Sequence, residues 1–280
     1  MMKILILGSQ GMQGHITKQY FKEQGYDVIG TTRDREDKYY FDAVENMNRI
    51  EKIIKEEKPK VVINCIGILN KVAEEQKWMA ALINSYLPHY LDKLSIDNNF
   101  KLIHMSTDCV FDGKKGSYVE DDFRDAVSFY GQSKALGEIN NDRNITIRTS
   151  IVGPDINENG IGLFQWFTKQ KGEIGGYTKV IWTGVTTLQL AKCMEKAIQN
   201  NLSGLHHAVN NEEIDKYSLL MLFRKYFNKN VTINKEEDYV SNKSLVRTGK
   251  SFDFGIPSYE TMVEEMNEWI LKHPELYKIS

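Results

Sequence analysis

The 280-residue chain has no long apolar run, no excess of one charge and only three cysteines. Each shortage excludes something. No stretch approaches the roughly 20 apolar residues that span a bilayer, and the run Ile4 to Leu7 lacks the basic flank and cleavage site of a signal peptide. The expectation is a chain neither inserted in a membrane nor secreted. The 36 basic and 38 acidic residues leave a formal charge of −2, and no Lys/Arg block stands out, which speaks against nucleic acid or a membrane surface as partner. A small molecule or another subunit remains, a second copy of this chain (a homodimer) included. Cys65, Cys109 and Cys193 lie far apart without C-x-x-C spacing, so neither a disulfide framework nor a zinc cluster is expected, and a reducing cytoplasm fits best. His206-His207 has no cysteine or carboxylate at ligand spacing; the pair reads as part of a strand near a lobe junction, and no metal is assigned.

What is present is a rhythm. Short apolar runs alternate with helix-period stretches: Lys3 to Leu7 then His15 to Gln24, Asp27 to Thr32 then Glu45 to Glu57, Lys60 to Ile66 then Glu75 to Leu94, and finally Lys101 to Met105. Strands apolar on both faces alternating with helices predict an α/β fold, a doubly wound parallel sheet of Rossmann-like type covered on both sides. After residue 150 the rhythm loosens, with glycine-rich segments at Gly160 to Gly162 and Gly172 to Gly176. The expected division is a nucleotide domain over 1–150, to which 177–205 returns, and a smaller C-terminal substrate lobe made of 151–176 and 206–280. In the last helical stretch Tyr259, Met262, Val263, Met266, Trp269 and Ile270 fall on one stripe, a core-facing pattern.

The sharpest local feature is GSQGMQGH at 8–15, with Gly8, Gly11 and Gly14 evenly spaced between the first strand and the first helix. Bare backbone there lets a pyrophosphate approach, and a helix N-terminus offers unpaired N–H groups and a positive dipole end. The spacing G-x-x-G-x-x-G differs from the dehydrogenase G-x-G-x-x-G, so the turn taken alone is also compatible with a tight connection that binds nothing. Two further segments decide. In STDCVFDG at 106–113, Thr107 follows a strand and places a hydroxyl at its carboxyl end, where open α/β sheets bind ligands. In YGQSK at 130–134, Tyr130 and Lys134 are four apart, on one helix face. A phenol titrates near pH 10 unless a neighbouring cation favours the phenolate, and Lys134 is expected to supply that cation. Thr107 would hydrogen-bond a reacting carbonyl beside the tyrosine that protonates it.

With these segments the sequence resembles the extended short-chain dehydrogenase/reductase family, and within it the dTDP-4-dehydrorhamnose reductase group of nucleotide-sugar reductases. GSQGMQG, STDCVFDG, YGQSKALGE and Arg148-Thr149-Ser150 carry the likeness, joined by NCIGI at 64–68, Asn84 inside a helix, and Arg247 with Ser251. The resemblance implies an NADPH-dependent reduction of the 4-keto group of a nucleotide-linked 6-deoxysugar, serving surface polysaccharide synthesis. By position it makes Thr107, Tyr130 and Lys134 the catalytic trio. It gives the pyrophosphate turn to Gly8, Gln10, Gly11 and Met12, the cofactor's adenosine side to Cys65, Ile66, Gly67 and Asp42, and its nicotinamide to Thr149 and Ser150. Asp108, Cys109 and Ile151 would face the sugar, and Arg247 the diphosphate. The chain departs from the group where it has Ser150-Ile151-Val152-Gly153-Pro154 in place of S-W-V-Y-G, and Cys109 in place of a tyrosine. Two alternatives stay open: an epimerase or dehydratase of the same superfamily, whose dehydratases typically have Asp-Glu after the threonine where this chain has Asp108-Cys109, and a nucleotide-binding regulatory subunit.

Cofactor choice is legible at the end of the second strand. There an Asp or Glu would bind the ribose 2′-hydroxyl and repel a 2′-phosphate. The chain has Thr31-Thr32-Arg33. Thr32 leaves room for the phosphate and Arg33 can clamp it, which predicts NADPH, with Asp34 and Asp37 as opposing groups.

Overall fold

The structure, a computed structural model, describes residues 1–277, so the last three positions of the expected segment 206–280 lie outside the described residues. In chain order the first half comprises β1 (Lys3–Leu7), α1 (Met12–Glu23), β2 (Asp27–Gly30), α2 (Arg49–Glu57), β3 (Val61–Asn64), α3 (Asn70–Glu75), α4 (Lys77–Ala80), a π-helical stretch (Ala81–Tyr86) leading into α5 (Leu87–Asn98), β4 (Lys101–Ser106), α6 (Phe129–Leu136) and β5 (Ile145–Arg148). The second half adds β6 (Ile151–Val152), α7 (Leu163–Thr168), β7 (Gly172–Tyr177), β8 (Val180–Trp182), β9 (Val185–Thr186), α8 (Thr187–Gln199), β10 (Gly204–His207), β11 (Ile214–Asp215), α9 (Lys216–Tyr226), β12 (Val231–Glu236), β13 (Ser241–Asn242) and α10 (Tyr259–Lys272).

Six strands form a parallel sheet in the order β10-β5-β4-β3-β1-β2. The fold is the expected α/β one. Because successive side chains on a strand point to opposite faces, Ile4 and Ile6 of β1 enter one core while Leu5 and Leu7 enter the other. Helices α1, α8 and α10 supply the first core and α2 and α5 the second. All six residues of the α10 stripe are buried. The strand order reverses between β1 and β3, so a crevice opens above their carboxyl ends, where Gly8 and Cys65 begin the connections.

The strands between 177 and 207 divide among separate sheets. β8 pairs with β11 and β13 in a small three-stranded sheet, whereas α8 packs on α1 and β10 pairs with β5. The chain therefore rejoins the six-stranded sheet and its covering helices at α8 and stays through His207. The reason is partner availability: β8 finds its neighbours among lobe strands, while the open edge of β5 is completed by β10.

Candidate active site

The glycine turn is built for close approach. Gly8 has φ +73°, a left-handed conformation, and a Cβ on Gly14 would lie 2.0 Å from the Gly8 carbonyl oxygen. α1 starts at Met12 with Gly11 as its N-cap and no side chain bonded to its first amides. Thr31 braces the turn by accepting from Gly8 N at 3.1 Å through its hydroxyl. Above the turn lies a cavity of about 450 Å³, bounded by Gly8, Gln10, Gly11, Thr32, Arg33 and Asp42, with Cys65, Ile66 and Gly67 on its other wall. Residues expected around a dinucleotide from two distant stretches thus line one space. Met12 is half-buried beside it, with its sulfur facing Gly162.

Arg33 is exposed on this cavity. The two acidic groups that could oppose it are spent inside their own loop, Asp34 accepting from Glu36 N at 3.1 Å and Asp37 from Tyr39 N at 2.6 Å. Asp42 also caps its own turn, accepting from Val44 N at 2.8 Å.

The second cluster lies at the carboxyl end of β4. Thr107 donates to Asp108 Oδ1 at 3.1 Å and accepts from Cys109 N at 3.2 Å, which starts a short 3₁₀ turn. α6 is pressed against this turn because Gly131 has no side chain: a Cβ there would lie 2.0 Å from the Cys109 carbonyl oxygen. Its other end rests on the π-helical stretch, where a Cβ on Gly137 would lie 1.9 Å from the Asn84 carbonyl oxygen. Asn84, fully buried, bonds Ser133 Oγ at 3.0 Å and both backbone groups of Ile68 at 2.8 Å. The glycines of YGQSKALGE therefore set the depth at which Tyr130 and Lys134 sit.

The electrostatics differ from expectation. Lys134 Nζ donates to the Met105 carbonyl at 2.6 Å, and burial lowers its pKa to about 8 against the pull of Glu138 and Cys65. Tyr130 is held above its ordinary value by burial and by Cys109, with Thr107 pulling the other way. The cation expected to favour the phenolate is turned to a backbone carbonyl, so the phenol keeps its proton through the neutral range. A protonated phenol beside a hydroxyl is the arrangement of a general acid.

Other candidates are placed as follows. Thr149 turns away from the cleft, donating to the Ala208 carbonyl at 2.8 Å and tying β5 to β10. The Ser150 carbonyl accepts from Val185 N at 2.9 Å. Asp108 is buried, while Cys109 and Ile151 are half-buried. Arg247 pairs with Asp253 at 3.0 Å, leaving its Nε buried without a partner. His206 and His207 lie in β10, and His207 Nε2 faces the Arg148 guanidinium at 2.9 Å. No group of three or more His, Cys, Asp or Glu among the described residues has metal-binding geometry. No helix of the described chain is long and apolar enough to cross a membrane.

Sequence reasoning missed Asp155 and Asn157, which reach the cavity from the loop after β6, and a chain that braces the turn from the far end of the sequence. Trp269 Nε1 donates to the Tyr277 hydroxyl at 3.0 Å, that hydroxyl meets His15 Nε2 at 2.9 Å, and His15 Nδ1 meets the Gly11 carbonyl at 3.0 Å. Burial lowers the His15 pKa, consistent with a neutral imidazole donating to Gly11 and accepting from Tyr277. Only a histidine in the first turn of α1 hinted at it.

The model of a family described as RmlD substrate binding domain matches residues 2–245. Methionine adenosyltransferase 2 subunit beta of Xenopus laevis is 26% identical over 245 residues, covering 81% of this chain and 72% of that protein. The dTDP-4-dehydrorhamnose reductase of Aggregatibacter actinomycetemcomitans is 33% identical over 141 residues, about half of each chain (49% and 46%). Among solved structures, dTDP-4-dehydrorhamnose reductase from Bacillus anthracis str. Ames in complex with NADP superposes with a TM-score of 0.80 at 20% identity, covering 95% of this chain and 98% of that one.

Proposed function

The chain belongs to the RmlD substrate binding domain family, and from that membership we propose that it is an NADPH-dependent reductase of a nucleotide-linked 4-keto-6-deoxysugar that serves surface polysaccharide synthesis. The observation that carries this reading is that Tyr130 meets Thr107 and Lys134 meets Met105 at the end of β4, with Lys134 also facing Cys65 on the wall of the cavity at the glycine turn. The residues fit the cofactor: the turn leaves backbone bare where a side chain would intrude, and Arg33 stands where a 2′-phosphate would be read. Gly8, Gln10 and Gly11 would hold the pyrophosphate, Asp42 and Cys65 to Gly67 the adenosine half, and Lys134 the nicotinamide ribose. When bound, the dihydronicotinamide supplies a hydride.

The protein's own part is to orient and protonate. Thr107 turns its single hydroxyl proton from Asp108, which accepts it in the free protein, to the substrate carbonyl oxygen and fixes that oxygen's direction. Tyr130, protonated because burial holds its phenol up, delivers the proton that turns that oxygen into a hydroxyl. Lys134, buried and charged below about pH 8, provides the positive field in which negative charge on the oxygen is tolerated.

A second reading, a nucleotide-binding subunit of another enzyme, is favoured by the subunit-beta relative that matches most of the chain. The test is loss of nicotinamide absorbance with a panel of nucleotide 4-ketosugars. Stoichiometric loss of cofactor supports the reductase; isomer formation without net loss supports an epimerase; inertness toward every sugar, with NADPH still bound, supports the subunit.

A further inference from the structure

Two lysines on the lobe side of the cleft, Lys216 and Lys243, make no side-chain hydrogen bond or ion pair among the described residues. Their placement follows from strand register. Asp215 of β11 and Asn242 of β13 both stand opposite Ile181, on either side of β8. One residue further along each strand the pleat brings Lys216 and Lys243 to the face that carries Trp182. Lys216 Nζ accordingly stands over the indole, 4.8 Å from the ring centroid. Lys243 lies along the STDCVFDG loop, where a Cβ on Gly113 would meet its Cγ at 2.9 Å.

This face abuts the reacting end of the cleft. The Trp182 indole crosses Gly184 toward the end of β5: a Cβ at 184 would lie 2.2 Å from Trp182 Cζ2 and 2.3 Å from the Ser150 carbonyl oxygen. An aromatic wall thus comes from β8 to a position beside Ser150, in a chain that lacks the aromatic pair after Arg148-Thr149. Trp182 is only 3% exposed, yet its Nε1–H has no acceptor. Asp108 acts on Lys216, and Lys243 on the Cys109 thiol, so both cations face the residues that follow Thr107. The sole carboxylate among these groups, Asp108, already accepts from Thr107. Two half-buried ammoniums and an indole N–H offer donors only, and such charge calls for a counter-charge.

We propose that Lys216 and Lys243, on the Trp182 face of the β11-β8-β13 sheet, hold an anionic oxygen group of the substrate, its diphosphate or a sugar carboxylate, an assignment that rests on the nucleotide-sugar reading above. Lys216 is the inner of the two contacts, beside Asp108, and Lys243 the outer, beside Gly113.

Calorimetric titration with inorganic pyrophosphate and, separately, glucuronate tests this without turnover. At least one probe binds the wild type, pyrophosphate identifying the diphosphate and glucuronate the carboxylate. Lys216→Met and Lys243→Met each weaken that binding about tenfold or more, Lys216→Arg retains most of it, and NADPH affinity stays at the wild-type value in all three. Lys216→Gln replaces Lys216→Met if the latter fails to fold. Wild-type affinity in both methionine variants, or no binding of either probe to the wild type, overturns the assignment. Anion binding that depends on the lysines in a protein that reduces no ketosugar would leave the site standing and remove the reductase; reduction with lysine-independent binding would do the reverse.

Discussion

Glu138 and Arg148 form a two-pronged ion pair inside the protein, Nε to Oε1 at 2.8 Å and Nη2 to Oε2 at 2.7 Å, with each side chain only 1% exposed. The pair stands behind the catalytic turn: Ser106, the residue before Thr107, donates to the same carboxylate at 2.6 Å, and Arg124 adds a contact at 3.0 Å. Three segments that carry candidate site residues, and the Arg124 loop with them, are thereby locked to one buried charge. Removing one partner leaves the other buried and unpaired, so Glu138→Gln should cost about 3–5 kcal/mol of stability, read from urea unfolding midpoints. Glu138→Leu combined with Arg148→Met should cost less than the two single changes summed. Strict additivity would show that the pair is not a unit.

The same pair sets a pH dependence. Burial alone would push the Glu138 carboxyl up, but the hydrogen bonds and charge of Arg148, helped by Ser106 and Arg124, hold it below the usual carboxylate range. A carboxyl depressed in the folded state contributes stability that is complete above the unfolded value of about 4.3 and is lost as pH falls through the folded one. Wild-type unfolding free energy should therefore fall below about pH 4, and the slope should flatten in Glu138→Gln. Equal slopes for both proteins would assign the acid sensitivity to other groups.

Gly11 and Gly14 should separate cofactor binding from folding. A Cβ on Gly14 collides with the Gly8 carbonyl at 2.0 Å, so Gly14→Ala should lower thermal stability by about 1–3 kcal/mol as the turn shifts. On Gly11 the nearest contact is an ordinary 3.4 Å and the residue lines the cavity. Gly11→Ala should keep the wild-type midpoint while weakening NADPH binding. Unchanged NADPH affinity there would remove the turn from the cofactor site.

Tyr130→Phe should reduce turnover by about 100-fold or more, with little change in dinucleotide affinity. Because burial lowers the Lys134 pKa to about 8, kcat/KM should decline above about pH 8 as that cation is lost. Near-wild-type turnover in the phenylalanine variant would overturn the mechanism.

Arg33→Ala should cost NADPH about 1.5–3 kcal/mol in kcat/KM and leave NADH nearly untouched, as for loss of a charged hydrogen bond. Asp34 and Asp37 accept backbone N–H groups of their own loop, and of the cavity's carboxylates Asp42 accepts from Val44 N and Glu45 pairs with Arg35. An equal loss for both cofactors would mean that Arg33 does not read the phosphate.

By itself the sequence determined the α/β fold, the glycine turn and the shared helix face of Tyr130 and Lys134, because these rest on local rules. Apolar runs the length of β1 and β3 can be buried on both faces only in a covered sheet, a strand-to-helix turn needs its glycines wherever it occurs, and Tyr130 and Lys134 share a face through helical spacing alone. Tertiary structure decided what depends on residues far apart in the chain. The edge of β5 chose β10 as its partner; burial, which no single segment reveals, left Tyr130 protonated and turned Lys134 to Met105; His15 acquired a brace from Tyr277, 262 positions away. Pairings of that range cannot be read from a pattern because each half is an ordinary residue until packing supplies the other.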